Sequence, residues 1–432
     1  MKIIPVLILL LIIILNSNIT HADWTEQQSP VTSDLIGASA VNQDICWMCG
    51  NDGAVIRTTN GGAAWILANT GLTTFDFASI FAIDANNCWL GGQDGTLRKT
   101  TNGGLLWEAV PLTPASQFID AIYFFDSNLG FVLGDPVNSV WGFYITTNGG
   151  AIWTAGENSP AAPSGEAGWN NSFCALDTGH IWWGTNNSKI YKGSFRGPFT
   201  SAPTTGAVNS FCVAFNYPLT GVAAMATASY TGLNTMLSTD GGMSWNTSSY
   251  LPAGIQYGIK GIPGTPYIWM TGSGLFSGHV LRSTDNGNWF DTQFSFVPGN
   301  AGGCISMVNE NCGWAATLST ESNVPSGRIY KYTDNIGIAN NNEVPSYFKL
   351  EQNYPNPFNP TTTINYSVPV TSEVSIKVYD MLGHEILTLV KEQKNAGNYS
   401  VVLNASELAS GIYFYKLTAG SFIDTKKISL VK

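Results

Sequence analysis

Thr58-Thr59-Asn60-Gly61-Gly62-Ala63-Ala64-Trp65 decides the fold, because the chain repeats it. The pattern is Thr/Ser-x-Asn/Asp-x-Gly-x-x-aromatic. It returns as Thr100-x-Asn102-x-Gly104-x-x-Trp107 and Thr146-x-Asn148-x-Gly150-x-x-Trp153. Two further copies are Ser238-x-Asp240-x-Gly242-x-x-Trp245 and Ser283-x-Asp285-x-Gly287-x-x-Phe290. The Asn/Asp positions lie 42, 46, 92 and 45 residues apart. The long interval is two periods, so a degenerate copy is expected near Ser194, where Ile190 to Phe199 keeps a strand, a Gly and an aromatic. Tyr332-Thr333-Asp334-Asn335 is a last degenerate copy, which makes seven units.

The units share one grammar. An apolar strand ends in an acid, as from Ile80 to Asp84 and from Ile122 to Asp126. A second strand carries an aromatic (Trp47, Trp89, Phe131, Trp182, Trp269, Trp314), and a turn such as Asn51-Asp52-Gly53 leads to a third strand that ends at the octet. Asp-Gly pairs supply the positive φ of a tight hairpin. With a short fourth strand led by the Trp, each unit has the size and order of a propeller blade.

The composition agrees. Of 432 residues only 11% are charged, against about 25% in ordinary soluble proteins, while 12% are aromatic and 46 are Gly. That excludes a disordered chain, a helical bundle and a coiled coil, and favours a turn-rich all-β protein. The net charge of −10 is uneven. Residues 23–345 carry ten Lys and Arg against 22 Asp and Glu, and residues 346–432 carry eight Lys against seven acids. So acidic a surface repels phosphate backbones and excludes nucleic-acid binding.

The octet resembles the Asp-box, or BNR repeat, of sialidase-like propellers, over some 310 residues. Within it the Asn or Asp is expected to accept hydrogen bonds from its own turn, the Gly to take a conformation other residues resist, and the Trp to pack under the hairpin. In that family the boxes lie away from the ligand face, so they are assigned a structural role. Between the third and fourth units, Gly134-Asp135-Pro136-Val137 and Gly165-Glu166-Ala167 resemble the photosystem II assembly/stability-factor-like branch of BNR propellers. Many exported proteins unrelated to photosynthesis fall in that branch, so it implies the fold rather than a role.

At the N-terminus, Met1-Lys2 precedes an apolar run from Ile3 to Leu15 and a polar stretch ending in Thr20-His21-Ala22. The run is too short to span a bilayer, and a small residue stands at the expected cleavage site, so residues 1–22 read as a signal peptide. The mature chain is expected to start at Asp23 and to contain no transmembrane segment. The last unit has no box Trp of its own, so Trp24 to Gln28 is expected to supply its fourth strand and remove two open edges. Seven Cys is an odd number for an exported chain. Cys46 and Cys49, three apart on one strand, point to opposite faces and are badly placed for a mutual disulfide, so buried free thiols are expected.

An Asn-rich linker, residues 338–346, separates the propeller (23–337) from a C-terminal module (347–432). Alternating strands from Thr363 to Val368, Val374 to Tyr379, Tyr399 to Leu403, Gly411 to Leu417 and Phe422 to Leu430 read as a small Ig-like antiparallel sandwich. Its opening Asn353-Tyr354-Pro355-Asn356-Pro357-Phe358-Asn359-Pro360 resembles the type A sorting domain of the type IX secretion system. So do Tyr379-Asp380-Met381-Leu382-Gly383, Ser410-Gly411-Ile412-Tyr413 and the closing Lys426 to Lys432. The resemblance implies a diderm bacterium, passage through the periplasm and an outer-membrane translocon, and release into the medium or display on the surface.

Sialidase activity is disfavoured, because Arg57, Arg98 and Arg282 sit beside boxes and no Arg-Ile-Pro motif precedes the first box. Most acids are explained by the repeat. Asp120, Asp135 and Glu166 are left over, the last two in loops and Asp120 at the start of an inner strand. Two such carboxylates about 5–9 Å apart would suit glycoside hydrolysis, with Trp141, Trp169 and Asn170 as candidate ligand contacts. His21, His180, His279 and His384 do not cluster, so neither a metal site nor a His-based triad is expected. No phosphate-binding loop appears, and no cofactor is expected. The favoured reading is a non-enzymatic exported propeller that binds a protein or glycan through its channel face. The alternative is a glycoside hydrolase, and a self-associating surface-layer component is a third class.

Overall fold

The structure is a computed structural model. It describes residues 23–432 except 73, 205–208, 227–232, 249–253, 275–276, 322–323, 335–347, 354–355, 357, 421 and 432. The signal-peptide reading and the linker lie outside the described residues. Two compact units are present, one ending at Asp334 and one following it.

The first unit is built of seven four-stranded antiparallel sheets. Six are sequence-consecutive meanders. Blade 1 runs Leu35–Ala40, Cys46–Gly50, Val55–Thr58 and Ile66–Leu67. In blade 7 the strands Asn300–Asn309, Cys312–Ser319 and Ile329–Thr333 are joined by Asp23–Gln27, which pairs antiparallel with Ile329–Thr333 and sets Trp24 opposite Tyr332. The first strand of each blade is innermost, and Asn300–Asn309 packs against both Gln256–Gly261 and Leu35–Ala40, so the ring is closed. Among the described residues there is no helix, and none therefore long and apolar enough to cross a membrane.

The boxes hold their turns by one repeated hydrogen-bond set. Thr58 Oγ1 donates to Asn60 Oδ1 (3.0 Å) and accepts from Gly62 N–H (2.9 Å), while Asn60 Oδ1 accepts from Ala64 N–H (2.9 Å). Equivalent bonds recur around Asn102, Asn148, Asp240 and Asp285. The fifth box position needs Gly. Its φ lies between +80° and +87° in Gly62, Gly104, Gly150, Gly242 and Gly287, a region costly for residues with a Cβ. Trp65, Trp153, Trp245 and Phe290 are buried beneath their turns.

At three boxes the preceding residue ties neighbouring blades. Arg57 lies 5.3 Å over the Trp47 ring and donates to Ala85 O in blade 2. Arg282 lies 5.4 Å over Trp269 and donates to the Tyr332 hydroxyl in blade 7 (3.1 Å). Lys331 lies 4.7 Å over Trp314 and donates to Gln43 O and Gly61 O in blade 1 (2.9 and 3.0 Å). These cations serve packing and blade-to-blade contact, which accounts for a large share of the few positive charges. Gln27 completes the junction of blades 7 and 1. It donates to Gly61 O (3.0 Å) and accepts from the indoles of Trp65 (2.8 Å) and Trp314 (3.2 Å).

All seven cysteines are free, and all but the half-buried Cys174 are buried. Burial pushes the thiols of Cys46, Cys49 and Cys88 well up and those of Cys212 and Cys304 to about 12, so they stay protonated and unreactive.

The second unit is a sandwich. Lys349–Leu350, Thr361–Val368 and Gly397–Asn404 form one sheet; Glu385–Lys394, Ser372–Tyr379, Gly411–Ala419 and Phe422–Leu430 form the other. Ile364, Tyr366, Val374, Ile376, Val378, Leu403, Tyr415, Leu417 and Ile428 fill its core. Glu385–Lys394 is a strand that the sequence pattern does not announce. It is an edge strand, exposed along most of its length, so alternation of apolar residues is not required of it.

Candidate functional site

Inner strands begin, and second-to-third-strand hairpins turn, at the same end of the ring. That end is the candidate site. Each inner strand carries a register slip near its start: at Ile36, Ala78, Asp120, Tyr257 and Gly303, and between Ser210 and Cys212. In blade 4 the slip widens to the stretch between Gly168 and Phe173. Asn171, in left-handed backbone (φ +59°), donates from Nδ2 to Ile36 O and Ala78 O, both at 3.1 Å. One side chain therefore joins blade 4 to blades 1 and 2 across the channel. Asn171 was not singled out by the sequence reading, although four residues between Gly168 and Phe173 are more than a regular first strand needs. Trp169 and Asn170 lie in this bulge and are half-buried.

Asp135 is not in a loop. The strands Gly130–Val137 and Val140–Thr146 extend through the expected insertion and turn at Asn138-Ser139, both with positive φ. Asp135 and Pro136 fall at a register slip of the strand, a position that tolerates a residue without N–H. Asp135 Oδ1 accepts from Gly168 N–H at 2.8 Å. Burial raises its carboxyl above the usual range, and that hydrogen bond opposes the rise.

Glu166 is buried and surrounded by donors. Oε1 accepts from the Tyr191 hydroxyl (2.7 Å) and Trp141 Nε1 (3.1 Å); Oε2 accepts from Asn187 Nδ2 and Lys189 Nζ, each at 3.2 Å. Its side chain has no exposed surface. Four donors occupy the carboxylate, and nothing in this geometry offers it to a substrate. Trp141 is only 2% exposed and meets Trp183 and Tyr191 edge-on, so it has no free face for a sugar ring.

Asp120 is the slipped residue of the blade 3 inner strand (Ile119–Phe124). It is 2% exposed, and its Oδ2 is buried without a hydrogen-bond partner. Burial first, and the neighbouring Asp135 second, push its carboxyl well above the usual range. The carboxyl lies against Gly168, where a Cβ would come within 2.6 Å of it. The structure thus brings Asp120 and Asp135 together on one residue and separates both in role from Glu166.

The three cations at this end are each paired with an acid of the same end: Arg98 with Asp94 (2.7 Å), Lys189 with Glu166 (3.2 Å) and Arg328 with Glu26 (2.6 Å). On the rim Asp34, Asp52, Asp76 and Glu321, and below it the buried Asp120 and half-buried Asp135, share the end with no ion pair. Beside the rim, Glu26 to Gln28, Ser29, Thr32 and Pro325 to Arg328 line an open groove of about 500 Å³. Among the described residues no three His, Cys, Asp or Glu side chains converge as a metal cluster.

Residues 352–431 match the secretion system C-terminal sorting domain, and residues 16–167 match the photosynthesis system II assembly factor YCF48 family. No curated protein matches the chain. Among solved structures, YCF48 bound to D1 peptide is 17% identical with a TM-score of 0.55, covering 72% of this chain and 96% of its own. YCF48 from Cyanidioschyzon merolae is 16% identical (TM-score 0.55; 72% and 99%), and the WD40 propeller of Doa1 is 11% identical (0.53; 72% and 97%). At these identities the structural likeness establishes the propeller fold. The family matches establish a YCF48-like Asp-box propeller followed by a type IX sorting domain. The sorting domain implies handling by the type IX secretion machinery, and hence secretion or display at the cell surface.

Proposed function

We propose that this propeller is an exported binding module whose acidic end takes a positively charged segment of another protein. The observation that carries the reading is the charge arrangement. Every cation at the channel mouth is already committed to a local acid, and the rim carboxyl groups of Asp34, Asp52, Asp76 and Glu321 have no ion pair. Such a surface attracts basic partners and repels acidic ones over about a Debye length. A solved YCF48 is a complex with a D1 peptide, which supports a peptide as the ligand class. Delivery fits the same reading: a signal peptide ending at Ala22 leads to the periplasm, and the sorting domain leads outward.

Fluorescence anisotropy with Lys/Arg-rich, neutral and acidic peptides tests it, using residues 23–432. Basic peptides should bind, should weaken as salt rises from 50 to about 500 mM, and should bind less to Asp52→Asn/Asp76→Asn. Equal binding of all three peptide classes would contradict the reading. The hydrolase alternative draws on one observation, the raised carboxyl of Asp120 beside Asp135. Turnover of a glycoside, lost in Asp135→Asn, would replace the binding module with that alternative.

A further inference from the structure

We propose that Asp120 and Asp135 together hold a hard divalent cation, Ca²⁺, at the start of the blade 3 and blade 4 inner strands. The contrast with Glu166 carries the argument. Two residues before Gly168 the fold buries a carboxylate and surrounds it with four donors, one of them the Lys189 ammonium. Asp120 is buried as deeply, but its Oδ2 has no donor, and neither it nor Asp135 has a cationic partner among the described residues. A buried carboxylate without donor or counter-charge is strongly destabilised, and a second carboxylate beside it adds to the cost. One cation between the two relieves both.

Both carboxyl groups are held against one residue. Gly168 sits where a Cβ would press within 2.6 Å of the Asp120 carboxyl, and its N–H fixes Oδ1 of Asp135. Asp135 is only half-buried, which gives an ion a route from the mouth. Carboxylates with neighbouring oxygens and water suit Ca²⁺ rather than a softer metal. With only two carboxylates the affinity belongs to the weak extracellular range, about 10⁻⁴–10⁻³ M, which suits a protein exported to a calcium-containing medium.

The test is thermal unfolding of residues 23–432, stripped with a chelator and titrated with CaCl₂ to 10 mM. Tb³⁺ luminescence sensitised by nearby tryptophan provides a second readout. Wild type should gain about 2–5 °C and give Tb³⁺ emission that Ca²⁺ displaces. Asp135→Asn and Asp120→Asn should lose both responses, and the half-exposed Asp135 keeps the test open should Asp120→Asn fail to fold. No shift in wild type, or an equal shift in wild type and Asp135→Asn, would overturn the proposal. Either result leaves the peptide-binding reading untouched, because that rests on other residues of the rim.

Discussion

Replacing Glu166 should reveal a structural anchor. In Glu166→Ala, Trp141 Nε1, at a residue 2% exposed, loses its acceptor, which costs about 1–3 kcal/mol. The Tyr191 hydroxyl keeps Ala161 O at 3.2 Å, and the Lys189 side chain, 29% exposed, turns to water. The small cavity adds about 1 kcal/mol, for a total near 3 kcal/mol. Glu166→Gln retains one acceptor oxygen for Trp141 and Tyr191 but sets an amide N–H₂ against the donors of Lys189 and Asn187, at about 1–2 kcal/mol. Unfolding of residues 23–432, followed by tryptophan fluorescence, should therefore order wild type above Gln above Ala, with about 5 °C between the extremes. The Lys189→Met variant should lower the cost of the Gln substitution, since one of the two donors that oppose it is gone. A Glu166→Gln protein that melts with wild type yet loses ligand binding or turnover would refute the anchoring role and return Glu166 to the reacting groups.

Gln27→Ala should destabilise the propeller by about 2–4 kcal/mol, since two buried indoles lose their shared acceptor at the junction of blades 7 and 1; denaturant midpoints would show it. Burial depresses His279 to about 4, against an ordinary value near 6.5. The folded state therefore resists a proton that the unfolded chain accepts. Stability from this group is fully present above pH 6.5 and lost as pH falls through about 4, up to about 3 kcal/mol, and His279→Asn should flatten that acid limb in urea titrations. A thiol reagent should modify at most Cys174 in the native protein and all seven cysteines in denaturant; fewer than seven after unfolding would mean a disulfide.

The fold was legible because the Asp-box is a local device. Thr58, Asn60 and Gly62 bond to one another within five residues, so the chemistry of the turn is written in consecutive letters. Repetition then fixed the architecture. The site was harder to read because its partners are distant in sequence. Glu166 is explained by Trp141 and Tyr191, each 25 residues away, and Asn171 by carbonyls 93 and 135 residues away. No local pattern encodes those meetings. Asp135 looked like a loop residue because Gly-Asp-Pro is usually turn chemistry, whereas here the proline occupies a slip inside an extended strand. Arg57 and Arg282 flank boxes in the sequence, but their reach into the next blade, like that of Lys331, is a property of the closed ring.

Binding of a basic protein segment at the acidic end is open to direct measurement. The most direct measurement is the affinity of residues 23–432 for a Lys/Arg-rich peptide at two salt concentrations, in wild type and in Asp52→Asn/Asp76→Asn. Binding should fall with salt in wild type and be weaker, with a shallower salt dependence, in the double variant. Binding that ignores both salt and the two substitutions would contradict it.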